Sequence, residues 1–212
     1  MRTAILFSGR GSNLGALARA AIDPDYPAEF VLAVTNRANA PGIEIAREHG
    51  IPVRVVDQDR FGERDDHERA ITEALMEAKT QLVCLAGYMR ILSDAFVQRW
   101  RGKCLNIHPA LLPAFRGVDT HARALERGVR LHGCTVHYVD GELDGGPIVA
   151  QAAVRVLPGD DEEALAERVL AAEHSLYPDC VAAIARGTVR WSSNGVVVAR
   201  DAPAETILRG LA

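Results

Sequence analysis

Short apolar runs alternate along the chain with stretches in which apolar residues recur every three or four positions. The runs of strand length in the first half are residues 3–8, 29–36, 52–56, 81–86 and 103–108. Between them, helical periodicity places Leu14, Leu17, Ala18 and Ala21 on one face, and Ile71, Ala74, Leu75 and Ala78 on another. This alternation predicts βαβ units and a largely parallel sheet covered on both faces.

The pattern changes beyond Gly117. A helix near residues 119–127 precedes two long apolar runs, "HGCTVHYV" and "PIVAQAAVRVL", which the turn-rich "DGELDGG" of residues 140–146 joins as a predicted antiparallel pair. Residues 161–186 form a predicted long helix, and "SSNG" (residues 192–195) is typical of a hairpin turn. We therefore predict an α/β fold with three α/β/α layers and about seven strands, mostly parallel with an antiparallel strand near the C-terminal half.

Composition and charge favour one globular domain that handles small molecules. The 212 residues are 48% hydrophobic and 25% charged, and the net charge of -4 gives no basic field for nucleic acid or a membrane surface. The cysteines lie far apart without a CxxC pair, which indicates reduced thiols and a cytoplasmic location: Cys84, Cys104, Cys134 and Cys180. The apolar segment of "MRTAILFSGRG" is too short for a signal peptide, and no run of about 18 apolar residues occurs.

A glycine-rich turn, "FSGRGSNL" at residues 7–14, follows the first predicted strand. Backbone N–H groups at the start of the next helix favour an anion there, and Ser12 and Asn13 add side-chain donors for a phosphate. The turn fails as a dinucleotide fingerprint, because Leu14 stands where the third glycine belongs and the second strand ends in Asn36-Arg37 without an acidic residue. The alternative is that Ser12 caps the helix and the glycines only turn the chain.

The stretch "NIHP" ends the fifth predicted strand, where open α/β sheets bind ligands. Asn106 and His108 are two residues apart, so their side chains share a face, and an amide donor beside an imidazole suits an oxyanion. The alternative for any single histidine is a structural role, and we assign that role to His49, His67, His121, His132, His137 and His174. His132 and His137 differ by an odd number and should face opposite sides of a strand, so we predict no metal site.

A catalytic histidine needs a carboxylate to orient it and to favour its charged form. The turn of residues 140–146 offers Asp140, Glu142 and Asp144. Asp-Gly is also a common hairpin signal, so turn formation alone explains Asp140 and Asp144 equally well. Spacing does not decide between these two interpretations.

Four motifs, "GSNL", "LAGYMRIL", "LNIHPALLP" and "LDGGPI", occur in this order and resemble the folate-dependent formyltransferase superfamily over nearly the whole chain. The resemblance implies one formyltransferase domain over residues 1–212. Within it, it implies a Rossmann-like phosphate-binding half (1–100), a catalytic and folate-binding half (101–190), and a short hairpin and tail (191–212). It also implies formyl transfer from 10-formyltetrahydrofolate, as cosubstrate and without a metal, to the amine of glycinamide ribonucleotide.

The resemblance assigns roles to individual residues. Asn106, His108 and Asp144 would do the chemistry, while Gly11, Ser12 and Asn13 would hold the substrate phosphate. Pro109 and Glu173 would contact the glycinamide. The folate would contact Arg64, Met89, Arg90, Ile91 and Leu92, together with Asn106 and Asp144. The sequence departs from the family at Ala110, where serine is usual, and at Leu170, where some members have a polar residue.

Several alternatives stay open beside this assignment. A formyltetrahydrofolate deformylase-like hydrolase or a methionyl-tRNA formyltransferase would share the three residues, although we expect neither the added N-terminal domain of the first nor the RNA-binding domain of the second. A non-catalytic nucleotide-binding module is a further alternative. Without the family, Arg64 and Glu173 are solvated helix residues and residues 89–92 are core filler. We predict small-molecule substrates, no nucleic acid and no membrane, with a weak homodimer as an open alternative.

Overall fold

The computed structural model describes residues 1–192 and 195–198. The chain divides into two compact units, of which the first is Met1–Asn106 and the second begins at Ile107. The single domain expected over residues 1–212, with its two halves and tail, stays a prediction. The turn predicted at residues 192–195 includes Ser193 and Asn194, which lie outside the described residues, as does the expected tail from Ala199 onward.

The first unit alternates strands and helices, as the apolar pattern predicts. Its strands are β1 (Arg2–Phe7), β2 (Glu29–Thr35), β3 (Val53–Val55), β4 (Leu82–Leu85) and β5 (Cys104–His108), the last of which runs into the second unit. Its helices are α1 (Ser12–Ala20), α2 (Gly42–Glu48), α3 (Arg64–Glu77) and α4 (Asp94–Arg99), with a 3₁₀ turn at Gln58–Arg60. The pairs β1–β2, β1–β4, β2–β3 and β4–β5 are all parallel.

The second unit contains α5 (Thr120–Glu126), β6 (Leu131–Tyr138), β7 (Ile148–Arg155) and α6 (Glu162–Ala185). Strands β6 and β7 pair antiparallel, as predicted, and the helix α6 packs on both of them. A separate two-stranded antiparallel sheet is formed by β8 (Val189–Ser192) and β9 (Gly195–Val198).

Seven strands form one sheet in the order β3-β2-β1-β4-β5-β6-β7, and the predicted fold class is therefore confirmed. In the first unit β1 is flanked by β2 and β4, so the strand order changes direction at β1. The carboxyl ends of these parallel strands carry the loops that hold the predicted site residues Gly11 and Met89, as the rule for open α/β sheets anticipates.

The predicted helical faces are buried. Leu14 and Leu17 on α1 and Ile71 and Leu75 on α3 are each 0% exposed, and each such side chain stabilises the fold by about 1.5–3 kcal/mol. Ser93 caps α4, since its Oγ accepts from the Phe96 N–H at 3.3 Å. Within the described residues, no helix is both long and apolar enough to cross a membrane.

Candidate active site

A tight turn joins β1 to α1 in the first unit. Gly11 occupies the N-cap position of α1 with a φ of 75°. A Cβ there would lie 2.7 Å from the Cα of Gly42, at the start of α2, so no side chain fits. The Gly42 N–H also donates to the Gly9 carbonyl at 3.1 Å. The backbone of the turn therefore packs directly against the start of α2.

Ser12 is the first residue of α1 and not its cap, so the alternative that it merely caps the helix is wrong. Gly11, at the N-cap, has no side chain with which to bond the amides of the first helical turn, and that turn contains no acidic residue. Amides at a helix start attract an anion through hydrogen bonding and through the helix dipole. The local structure around Ser12 and the buried Asn13 thus suits a phosphate.

The predicted folate-binding segment of residues 89–92 follows β4, outside any helix or strand. Met89 and Ile91 are each 68% exposed, so the core-filler alternative is wrong for these two. The Met89 N–H donates to the Ser8 Oγ at 2.8 Å, and the Arg90 Nη1 donates to the Gln58 Oε1 at 3.4 Å. The segment therefore exposes apolar side chains to solvent, while hydrogen bonds to Ser8 and Gln58 hold it in place.

His108 ends β5 and is 5% exposed. Its Nε2 lies 3.0 Å from the Phe115 carbonyl oxygen, and its Nδ1 lies 3.4 Å from the Asp144 Oδ2. Because a carbonyl can only accept, Nε2 carries a proton. The approach of Nδ1 to the carboxylate is attractive only when a proton also lies between them. The two ring nitrogens of His108 therefore face a carbonyl on one side and a carboxylate on the other. Asn106 lies two residues earlier on the same strand, on the face that His108 shares.

Asp144 connects several groups of the second unit. Its Oδ2 accepts from the Gly117 N–H at 2.9 Å, and its Oδ1 lies 3.8 Å from the His137 Nε2. The backbone has a φ of 49°, a left-handed conformation that aspartate adopts more readily than most residues. Turn geometry and the position facing His108 are therefore properties of the same residue, and the two interpretations of Asp144 are compatible.

The structure shows that the three carboxylates of the 140–146 turn have different partners. Asp140 accepts from the Glu142 N–H at 3.0 Å and so supports the turn. Glu142 itself pairs with Arg116 in a partly exposed ion pair. Of the three, Asp144 is the one within ion-pair distance of His108 in the described part of the chain.

His137, to which the sequence analysis assigns a structural role, also lies near Asp144. The ring is 2% exposed, and its Nδ1 donates to the Tyr138 carbonyl at 3.0 Å, so its Nε2 faces Asp144. Burial lowers the pKa of His137 and favours its neutral form. Its place at the end of β6, just before the turn that carries Asp144, was the available signal.

A second pair of buried histidines lies in the same unit. The rings of His121 and His132 meet edge to face with centroids 5.3 Å apart, and His132 also meets the Phe115 ring at 5.7 Å. Burial, followed by the charge of His121, lowers the pKa of His132 to about 4. Both rings are therefore neutral packing groups behind the loop that bonds His108. Among the described residues, no group of three or more potential ligands is arranged for a metal ion.

The pairing of β6 with β7 is irregular at one point. Val136 pairs with Ala150 and His137 pairs with Ile148, so the extra residue, Val149, lies on β7 and not on β6. Spacing along β6 alone does not show which side chains His137 meets.

Thr135, which is 0% exposed, holds the loop after His108 through two hydrogen bonds. Its Oγ1 donates to the Ala110 carbonyl at 2.6 Å and accepts from the Leu112 N–H at 3.0 Å. The Pro109 carbonyl accepts from the Thr120 Oγ1 at 2.7 Å. Ala110 is itself 0% exposed, so the position that departs from the family holds the loop through its backbone.

Glu173 lies on α6 and is 6% exposed, so the alternative of a solvated surface residue is wrong for it. Burial, followed by the Glu173 charge, raises the pKa of Cys134 on β6 to about 12. Leu170, one turn earlier, is half-buried. Arg64, in contrast, opens α3 as an exposed residue, which is consistent with the solvated alternative.

A comparison with known protein families matches most of the chain. Residues 1–181 match the family described as formyl transferase. This chain belongs to the formyl transferase family.

Individual relatives show which members of the family this chain resembles. The phosphoribosylglycinamide formyltransferase of Escherichia coli (strain K12) is 40% identical over 194 residues, which cover 92% of this chain and 92% of that protein. The trifunctional purine biosynthetic protein adenosine-3 of Gallus gallus is 46% identical over 197 residues, 93% of this chain but 20% of that protein. This chain therefore spans about a fifth of the length of that trifunctional relative.

Solved structures agree with this comparison. A phosphoribosylglycinamide formyltransferase from Anaplasma phagocytophilum has a TM-score of 0.90 and 42% identity, and the match covers 99% of this chain and 98% of that one. A formyltetrahydrofolate deformylase from Pseudomonas syringae pv. tomato is less similar, with a TM-score of 0.86 and 26% identity. That match covers 93% of this chain and 65% of the deformylase chain.

Proposed function

We propose that the protein transfers the formyl group of 10-formyltetrahydrofolate to the amine of glycinamide ribonucleotide, giving formylglycinamide ribonucleotide and tetrahydrofolate in purine biosynthesis. The likeness to the Escherichia coli enzyme, which extends over 92% of both chains, supports this proposal. The observation in the structure that carries it is the buried pair of His108 and Asp144, whose nearest side-chain atoms are 3.4 Å apart.

The reaction requires hydrogen-bond donors that stabilise a developing negative charge. As the amine attacks the formyl carbon, charge develops on the formyl oxygen of a tetrahedral intermediate. The Asn106 amide and the protonated His108 ring are the groups that stabilise this oxygen, and each donor of this kind lowers a barrier by about 3 kcal/mol. In the free protein the His108 Nε2–H is donated to the Phe115 carbonyl, and we expect the substrate oxygen to replace that carbonyl as acceptor.

Protons must also move during the reaction. The attacking amine loses one proton, and the folate nitrogen gains one as the bond from that nitrogen to the formyl carbon breaks. Asp144 faces the His108 Nδ1 at 3.4 Å and accepts from the Gly117 N–H, which fixes the carboxylate in place. The carboxylate can therefore orient His108 and, through a bound water, relay the proton.

Binding of the two substrates involves other residues. We assign the phosphate of the ribonucleotide to Gly11, Ser12 and Asn13 at the start of α1, and its glycinamide to Pro109 and the buried Glu173. The folate is assigned to Arg64 and to residues 89–92, because the exposed apolar side chains of Met89 and Ile91 offer a surface for an aromatic ring.

The decisive experiment is an assay of the purified protein with 10-formyltetrahydrofolate and a set of acceptors. Glycinamide ribonucleotide should support turnover, whereas glycine, other primary amines and water should not. Comparable turnover with every amine would contradict an assignment to the phosphorylated substrate.

A second candidate function is hydrolysis of the formyl-folate, since a deformylase matches the fold with a TM-score of 0.86. The same histidine and carboxylate would then activate water instead of an amine. This alternative predicts that formyl-folate consumption is unchanged when glycinamide ribonucleotide is omitted, so one control reaction separates the two functions.

A further inference from the structure

A chain of hydrogen bonds runs beneath residues 89–92, within the first unit. Ser8 follows the end of β1 and is 2% exposed. Its N–H donates to the Gly87 carbonyl at 3.1 Å, and its Oγ accepts from the Met89 N–H at 2.8 Å. The loop after β4 is therefore held by Ser8 on both sides of Tyr88.

Asn36 continues the chain from the end of β2. It is 1% exposed, and its Oδ1 accepts from the Ser8 Oγ at 2.6 Å. Its Nδ2 donates to the Gln58 Oε1 at 2.7 Å, and its carbonyl accepts from the Gln58 N–H at 3.1 Å. Gln58 is thus fixed to Asn36 through both its backbone and its side chain.

The direction of each bond is determined. The Ser8 oxygen already accepts from the Met89 N–H, so its own proton goes to the Asn36 Oδ1, and the Asn36 amide is oriented with its nitrogen toward Gln58. The Gln58 Oε1 then receives two donors, the Asn36 Nδ2 at 2.7 Å and the Arg90 Nη1 at 3.4 Å. One acceptor atom therefore ends the chain and also orients Arg90.

We propose that Gln58 is a positioning residue for the formyl donor: its Oε1 orients Arg90 directly and supports Met89 through Asn36 and Ser8. The hydrogen bonds described for this network join Ser8, Asn36, Gln58, Met89 and Arg90, and the residues assigned to the chemistry are not among them. Loss of the Gln58 oxygen should therefore weaken folate binding while the chemical step continues. This inference rests on the proposed assignment of the folate to residues 89–92.

The test compares variants of nearly equal size. Gln58→Met removes the acceptor and keeps the side-chain length, whereas Gln58→Glu keeps an oxygen for Asn36 and Arg90. Gln98→Met makes the same glutamine-to-methionine change at an exposed position on α4 and serves as the matched control. For Gln58→Met we expect the KM for the formyl-folate to rise about five- to ten-fold, which matches the loss of one hydrogen bond to a charged or buried partner. The KM for glycinamide ribonucleotide and kcat should change less than two-fold, and Gln58→Glu and Gln98→Met should resemble the unchanged protein.

Two further measurements make the outcome unambiguous. The affinity for tetrahydrofolate, measured by calorimetry, should fall by the same factor in Gln58→Met even if the acceptor substrate proves to be different. Hydrogen exchange of the Met89 amide should become faster in that variant, and this readout needs no folate at all. Unchanged affinity and exchange in a folded Gln58→Met protein would overturn the inference, as would equal losses for both substrates. Absence of turnover in the unmodified protein would count against the proposed function alone. If Gln58→Met does not fold, Gln58→Glu decides: weakened folate binding there would overturn the inference.

Discussion

Replacement of Asp144 by asparagine separates its role in the turn from its role beside His108. Asparagine adopts the left-handed backbone at φ 49° as readily as aspartate does, so the turn should persist. It also keeps one oxygen that can accept from the Gly117 N–H. The negative charge is what the substitution removes.

The structure sets the size of the expected effect. Two unit charges at 3.4 Å attract by about 5 kcal/mol at an effective dielectric constant of about 20. The side chains of His108 and Asp144 are 6% and 10% exposed, so solvent screens the pair only weakly. This figure is an upper limit, because the amide oxygen recovers part of the interaction. A loss of about 3 kcal/mol of transition-state stabilisation corresponds to a fall in kcat on the order of 100-fold.

The assay is steady-state formyl transfer to glycinamide ribonucleotide, followed by the absorbance of the folate. Asp140→Asn makes the same chemical change in the same turn, where the carboxylate accepts only a backbone bond in the described structure, and its kcat should stay within about two-fold of the unchanged value. His108→Asn should be at least as damaging as Asp144→Asn, and the double variant should lose much less than the product of the single losses. Near-normal turnover of Asp144→Asn would refute the pairing and leave Asp144 as a turn residue.

Three other predictions concern folding and binding. Gly11→Ala should lower Tm by at least about 5 °C, because its Cβ would meet Gly42 at 2.7 Å, and added phosphate should no longer raise the Tm of this variant. Gly62→Ala, at an open position, should have little effect in the same thermal scan. The depressed pKa of His132, about 4, means that the unfolded chain binds a proton first as pH falls, so this residue's contribution is complete above pH 6.5 and is lost between pH 6.5 and 4. In denaturant titrations, the free energy of unfolding of His132→Phe should vary with pH by about 3 kcal/mol less over that range than that of the unchanged protein. An unchanged pH profile would refute the attribution of this pH dependence to His132. Thr135→Val leaves buried bonding groups of the loop after His108 without a partner and should cost about 1–3 kcal/mol of unfolding free energy, whereas Thr135→Ser should recover most of it.

Much of the fold follows from the apolar pattern. The alternation of strand-length runs with helical stripes predicted the parallel strands of the first unit, and the buried faces of α1 and α3 contain the predicted leucines and isoleucine. Asp161 also caps α6 where the predicted helix begins, since its Oδ1 accepts from the Ala164 N–H at 2.8 Å. These features are local, so a pattern of neighbours in sequence suffices to predict them.

The site was less predictable because its contacts join residues far apart in the chain. Spacing could not choose among the acidic residues of the 140–146 turn, and the choice of Asp144 rested on the family resemblance. The approach of His137 to Asp144 depends on the conformation of the 140–146 turn, which spacing along β6 does not show. The hydrogen bond from Ser8 to Asn36 links residues 28 positions apart, and polar residues at strand ends carry no periodic signal.

Phe115 connects the loop after β5 with His108 through its carbonyl and with His132 through its ring. Its carbonyl receives the His108 Nε2–H, its backbone has a φ of 55°, and its ring packs against His132. A left-handed phenylalanine is costly by about 1–2 kcal/mol, so surrounding contacts must hold it there. The ring contact and the bonds of Thr135 to the same loop supply such support. A carbonyl held in this way orients the His108 ring through Nε2 and leaves Nδ1 facing Asp144. The loop therefore positions His108 beside the carboxylate, and the buried pair of His121 and His132 packs against the Phe115 ring of that loop.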